Sequence, residues 1–212
     1  MIRMVIKLHK PASAGYYLES SYQYYGAGQE PPGYWIAFGP TADSLGIRSG
    51  DLVEASHFES ILQGFRPDSG EALGELRADR NIGYDLVCAA PKSVAVLDAI
   101  APPSIRNEIA AAQATAVHEA MELVINRSAS SRRGHNGRGE SVQASIVAAA
   151  FPQHDARPPA GQSIGDPHLH THVVIANVSV GMMNAGERWT ALACTSTPRK
   201  RPPSTTWHWL EN

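Results

Sequence analysis

The chain has 212 residues, a net charge of −2, 43% hydrophobic and 18% charged residues, the balance of an ordinary globular protein with enough apolar surface for one sizeable domain, with or without a tail. It has no run of 18 apolar residues, which argues against a membrane span, and its first residues are too short and interrupted for a signal peptide. Cys88 and Cys194 make no disulfide framework, so a reduced, cytoplasmic setting is expected.

In chain order, Val5 to Leu8 reads as a short strand. Ser13 is a plausible cap for a helix running through Tyr16 to Glu19, and Gly26 to Gly33 reads as loop. Short helices are expected over Thr41 to Leu45 and Leu52 to Gln63, with a turn-rich connector from Gly64 to Gly70. Tyr84 to Ala90 alternates as a strand should, and Pro91 ends it. Ser93 to Ile100 reads as a helix stopped by Pro102-Pro103. Ser104 to Ile125 carries the clearest helical stripe: Ile105, Ile109, Ala112, Ala116, Val117, Ala120, Met121 and Val124. Ser141 to Phe151 and His172 to Val180 read as strands, with a Pro- and Gly-rich loop from Ala156 to Gly165 between them. The last twenty residues have neither periodicity nor a core face, and residues 193–212 read as a tail.

Three features carry chemistry. Tyr16-Tyr17 and Tyr24-Tyr25 are tandem pairs eight residues apart, a spacing that suits either an amphipathic helix face or a pair of phenolic nucleophiles. Arg127 to Arg138 holds four arginines, one histidine and no acid among Gly, Ser and Asn, which suits either a solvated loop or a hairpin that grips phosphates. The most informative stretch is Asp166-Pro167-His168-Leu169-His170-Thr171-His172, which leads straight into Val173-Val174-Ile175. Alternate side chains of a strand share a face, so the three imidazoles crowd one side of a sheet. Neutral imidazole is the commonest side-chain metal ligand, and a metal reading follows. A tyrosine attacking phosphorus, with a metal offsetting the charge on the non-bridging oxygens, is phosphodiester transfer.

With these motifs the chain resembles the MobF-type conjugative relaxases, a branch of the HUH endonucleases, from about Ala12 to Leu192. The likeness rests on Gly15-Tyr16-Tyr17, Tyr24-Tyr25, Leu45-Gly46, Phe58, Gly64, Pro67 and Gly70-Glu71. It continues through Gly83-Tyr84-Asp85-Leu86, Ala90-Pro91-Lys92-Ser93-Val94, Phe151 to Asp155, and Asp166 to Val173. It implies an α+β fold: an antiparallel sheet with helices packed on one face and a three-histidine metal site on the other. By the resemblance the ligands are His154, His170 and His172, and His168 falls outside the set. This corrects the reading from strand alternation alone, in which His168 is a ligand.

Also by resemblance, Tyr16 is the nicking nucleophile, Tyr24 the second one, and Tyr17 and Tyr25 packing or DNA-contact residues. Arg132 and Arg133 belong to a basic hairpin that follows the DNA backbone. Asp85 matches the family acid, with two open roles: accepting the proton of Tyr16, or holding a ligand imidazole through its distal N–H. The implied activity is metal-dependent nicking of one strand at a plasmid transfer origin, leaving a 5′-phosphotyrosyl link. The implied cofactor is a divalent ion, Mg²⁺, Mn²⁺ or Zn²⁺. The implied partners are single-stranded DNA and other relaxosome proteins. The nearest rival is a rolling-circle replication or transposition enzyme of the HUH class, which the long signature from Gly83 to Val94 disfavours. An inactive DNA-binding remnant is the rival of another kind.

Two departures from the pattern stand out. The loop from His154 to His170 is long, with Pro158-Pro159-Ala160-Gly161 in excess. The pattern also stops at Arg188-Trp189-Thr190-Ala191-Leu192. Read two nucleotides later, codons for Thr206 to Leu210 can spell a His-Leu-Ala-Leu element of the family. An out-of-frame tail is therefore expected, on a gene that continued into the rest of a relaxase and a helicase.

Overall fold

The computed structural model describes residues 5–9, 31–74, 76, 80–132, 141–143, 145–156, 158–161, 165–183, 186–190 and 192–194. Its centre is the stretch Ile146-Val147-Ala148-Ala149-Ala150-Phe151, apolar at every position and buried at every position. A strand that is apolar on both faces needs cover on both faces. It forms the first part of β6 (Ile146–Asp155), inside a five-stranded antiparallel sheet of order β1-β3-β7-β6-β2. The other members are β1 (Val5–His9), β2 (Tyr34–Phe38), β3 (Gly83–Ala89) and β7 (Pro167–Ala176).

Four helices are described: α1 (Pro40–Ser44), α2 (Ala55–Gln63), α3 (Lys92–Ile100) and α4 (Pro103–Ser128). One sheet face packs Ile36, Leu86, Cys88, Ile146, Ala148, Ala150, Val173 and Ile175 against Val117, Met121 and Ile125 of α4. The opposite face packs Trp35, Val147, Ala149, Phe151, Val174 and Ala176 against Phe58, Ile61 and Leu62 of α2. The antiparallel α+β sheet is as expected from the sequence, with one addition: α2 covers part of the second face as well. Only the second half of the long helix uses its apolar stripe in this core, while Ile105 remains exposed.

Boundaries shift for local reasons. The run expected from Ser141 to Phe151 divides into β5 (Ser141–Gln143) and β6. β5 pairs with β4 (Ala129–Arg132), Arg132 opposite Ser141, so a hairpin does stand at the basic segment. The run expected from His172 to Val180 divides as well: β7 starts at Pro167, five positions earlier, takes all three histidines into the sheet and ends at Ala176. A second hairpin follows, β8 (Ser179–Met183) with β9 (Gly186–Thr190). β10 (Leu192–Cys194) pairs with β4, so Ala193 and Cys194 of the expected tail lie in a strand.

β2 has no counterpart in the sequence reading. Its outer edge is lined by the segment that follows α1: Trp35 N–H donates to Asp51 O, Gly50 N–H to Trp35 O, and Val53 N–H to Gly33 O. Ser49 Oγ serves both the N–H and the C=O of Ala37.

Glycine is required at two places. Gly64 ends α2 at φ 88°, left-handed, and its N–H returns to carbonyls of the last turn. At Gly83 a Cβ would meet Ile175 O at 2.3 Å, so the first residue of β3 can approach β7 only without a side chain. Tyr16, Tyr17, Tyr24, Tyr25, Arg133, the expected helix near Tyr16 and residues 195–212 lie outside the described residues.

Candidate metal centre

Strand register places the acidic and imidazole groups. Val87 and Phe151 flank His172 on either side, and Ala89 and Gln153 flank His170. Asp85 pairs with Val174, two residues along from His172. Paired residues share a face, so Asp85, His170, His172 and Val174 all stand on the α2 side, opposite α4. Diagonal neighbours on a sheet are within reach of long side chains, and this pair uses that reach. His172 Nδ1 lies 3.0 Å from Asp85 Oδ2 and 3.2 Å from Oδ1. The carboxylate is buried, at 4% exposure, so its acceptors point into protein and not into solvent.

His170 is pinned differently. Its Nδ1 lies 2.6 Å from the carbonyl oxygen of His168 and donates to it. The rings of His170 and His172 have centroids 5.2 Å apart, edge to face, while His168 stacks on His170 at 4.6 Å. Burial pushes the His170 imidazole down from 6.5 to about 4; the hydrogen bond to His168 opposes this, and the charges of His172 and His168 add to it. The ring is therefore neutral at ordinary pH, the form that binds a metal. In His170 and His172 alike, an acceptor takes the Nδ1 proton, which makes Nε2 the nitrogen without one.

His154 sits where the β6–β7 ladder is interrupted. Gln153 pairs with His170 and Asp155 with Pro167, so the register slips by one residue at the histidine. Such a bulge re-aims a side chain out of the regular alternation. Its Nδ1 lies 2.5 Å from Asp98 Oδ2 on α3. Asp98 is a residue that sequence reasoning missed: a single acid in the apolar run from Val94 to Ile100, 56 positions from its partner, leaves no local pattern. The donor chemistry of the three imidazoles suits a borderline divalent ion. As the side chains stand, no three His, Cys, Asp or Glu groups among the described residues converge closely enough to hold one. The structure brings together Asp85, His170 and His172, and tethers His154 of β6 to Asp98 of α3.

The long loop between His154 and His170 is closed at its base. Ala156 N–H donates to Asp166 O, closing the base of the loop beside the Asp155–Pro167 pair. Lys92 Nζ donates to Pro167 O and Ala90 N–H to Leu169 O, which ties the start of α3 to the start of β7. Residues 158–161 thus project from a closed stem.

Known proteins resemble this chain in sequence and in fold. The family model described as TrwC relaxase matches residues 11–201. The multifunctional conjugation protein TraI of Escherichia coli is 32% identical over 170 residues, covering 79% of this chain and 9% of that protein. Among solved structures, a metal-free complex of the conjugative relaxase TrwC with oriT DNA is 27% identical, with TM-score 0.64, over 88% of this chain and 60% of that one. A metal-bound complex of TrwC with oriT DNA gives 25% identity and TM-score 0.66, over 88% and 61%. The chain spans less than a tenth of the length of TraI and about three fifths of the solved TrwC chains.

Proposed function

The chain belongs to the TrwC relaxase family, and from that membership we propose that it nicks one strand of DNA at a plasmid transfer origin by tyrosine transesterification. The observation that carries this reading is the Asp85–His172–His170 group, two neighbouring imidazoles whose Nδ1 protons are both taken by acceptors on the protein. That arrangement prepares Nε2 lone pairs for a divalent ion, and one of the similar TrwC–oriT structures is metal-bound.

In this reading His154, His170 and His172 hold the ion, which when bound would polarise the non-bridging phosphate oxygens and offset their growing charge. The Tyr16 phenol attacks phosphorus, the bond to the 3′ oxygen breaks, and the chain is left with a 5′-phosphotyrosyl link and a free 3′-hydroxyl. No water enters, so the energy of the phosphodiester is kept for rejoining. Tyr24 performs the later transfer that ends the process. Of the two roles open to Asp85, holding His172 is the one its hydrogen bonds support. Arg132, at the end of β4, and Arg133 after it would follow the DNA backbone from the hairpin, with Tyr17 and Tyr25 as further DNA contacts. The partner is single-stranded origin DNA together with other relaxosome proteins. No helix among the described residues is long and apolar enough to cross a membrane.

The test is direct. Incubation with a single-stranded oligonucleotide from the cognate transfer origin and Mg²⁺ or Mn²⁺ should give an adduct that survives SDS. DNA binding with no adduct at any metal concentration would instead identify a DNA-binding remnant.

A further inference from the structure

Asp98 belongs to no motif of the sequence and to no step of the reaction, yet it makes a short polar contact with one of the imidazoles. Its carboxylate is 2% exposed, on a helix whose other residues from Val94 to Ile100 are apolar. A buried carboxylate is costly, and Asp is a poor residue for a helix interior. An apolar residue there would pack at least as well, so a purely structural account does not explain the acid. Oδ2 engages His154 Nδ1 at 2.5 Å, while Oδ1 is buried with no hydrogen-bond partner among the described residues. The imidazole is the group the acid is placed to serve. The register slip at His154 is an independent sign that its side chain is diverted from the sheet's alternation.

We propose that Asp98 is the positioning residue for His154: by accepting the Nδ1 proton it fixes the tautomer in which Nε2 carries no proton, and so completes a set of three Nε2 ligands. Asp85 does this for His172 and the His168 carbonyl for His170. The three imidazoles then share one tautomer, each set by a different partner: a strand-borne carboxylate, a backbone oxygen and a helix-borne carboxylate. This inference rests on His154 being a ligand, and its test separates the two ideas.

Mn²⁺ affinity of the 212-residue protein is measured by calorimetric titration for the parent chain, His154→Ala, Asp98→Asn and Asp98→Leu. The His154 tautomer is read from ¹⁵N imidazole spectra without metal, and melting temperature is recorded for each. The expected result is a roughly 10- to 100-fold weaker Mn²⁺ affinity in Asp98→Leu, with the melting temperature held or raised and the His154 tautomer mixed. Asp98→Asn keeps the shape and one acceptor, so it should retain the tautomer and lose less affinity. If Asp98→Leu fails to fold, the isosteric Asp98→Asn still decides, because an Mn²⁺ affinity unchanged there would overturn the proposal. Tighter Mn²⁺ binding in either Asp98 variant would also overturn it, since the acid would then be holding His154 away. If His154→Ala itself leaves affinity unchanged, the ligand assignment fails and this inference with it. If His154→Ala weakens binding and both Asp98 variants do not, only the role of Asp98 is refuted.

Discussion

Asp85 and His172 meet across the β3–β7 ladder along a diagonal, with Oδ2 3.0 Å from Nδ1, because the acid is paired with Val174 and not with the histidine itself. Removing that acceptor should loosen the imidazole while leaving the strands in place. Asp85→Ala is expected to lower Mn²⁺ affinity about 10- to 100-fold, measured by calorimetry, with little change in the far-ultraviolet spectrum. An unaltered affinity would return Asp85 to its other role, as acceptor of the tyrosine proton.

The two strand-borne histidines and their neighbour should separate cleanly. His170→Ala or His172→Ala is expected to abolish both metal binding and cleavage. His168→Gln should leave both nearly intact, since the hydrogen bond that residue 168 gives His170 comes from a backbone carbonyl that any residue supplies. Equal loss from all three would make His168 a ligand.

Tyr16→Phe removes one oxygen and keeps the ring, so the covalent DNA adduct should vanish while DNA affinity stays within about twofold of the parent. Tyr24→Phe should still give the first nick. Peptide mapping of the adduct checks both, and finding the DNA on Tyr24 or Tyr25 in the parent protein would reverse the order.

Acid should destabilise the metal-free protein through His170. Burial lowers its folded value to about 4, while the unfolded ring keeps 6.5. Between those values the unfolded chain binds the extra proton, so stability is full above about pH 6.5 and drains away as pH falls toward 4. The contribution is on the order of 2 to 3 kcal/mol. Denaturant melts at pH 7 and pH 4.5 should show this loss in the parent and a smaller one in His170→Gln. An equal loss in the two would assign the acid sensitivity elsewhere.

Phe58 ties the α2 core to the metal face. It is 1% exposed and lies edge-on to Phe151 at 5.1 Å, and Phe151 is the strand partner of His172. Phe58→Ala should cost about 3–5 kcal/mol in urea unfolding. A cost below 1 kcal/mol would mean that Trp35 and Phe151 close the gap.

The sequence was informative wherever chemistry and periodicity coincided. The alternating imidazoles, the strand bearing Asp85 and the long helix all carry one-dimensional patterns, and all three are in the fold. β2 carried none: Tyr34-Trp35-Ile36-Ala37-Phe38 is apolar throughout because Trp35 serves one core and Ile36 the other, so no polar alternation marks it as strand. Ile105 fits the helical stripe but remains exposed, since periodicity shows which face is apolar and not how far the sheet extends beneath it. Asp98 was invisible for another reason. Its meaning lies in a contact made across 56 residues, at a bulge that depends on where two strands lose register.

The backing of β2 by residues 49–53 has a consequence for how the molecule behaves in company. An edge strand with free backbone groups is a template on which another chain can add a strand. Here the outward amide and carbonyl of Trp35 are taken by Asp51 and Gly50, and those of Ala37 by one hydroxyl, that of Ser49. The hydroxyl acts as a stopper, and Ser49→Ala would uncork two adjacent hydrogen-bonding groups on an otherwise apolar strand. Self-association at high concentration is where so small a change would first be felt.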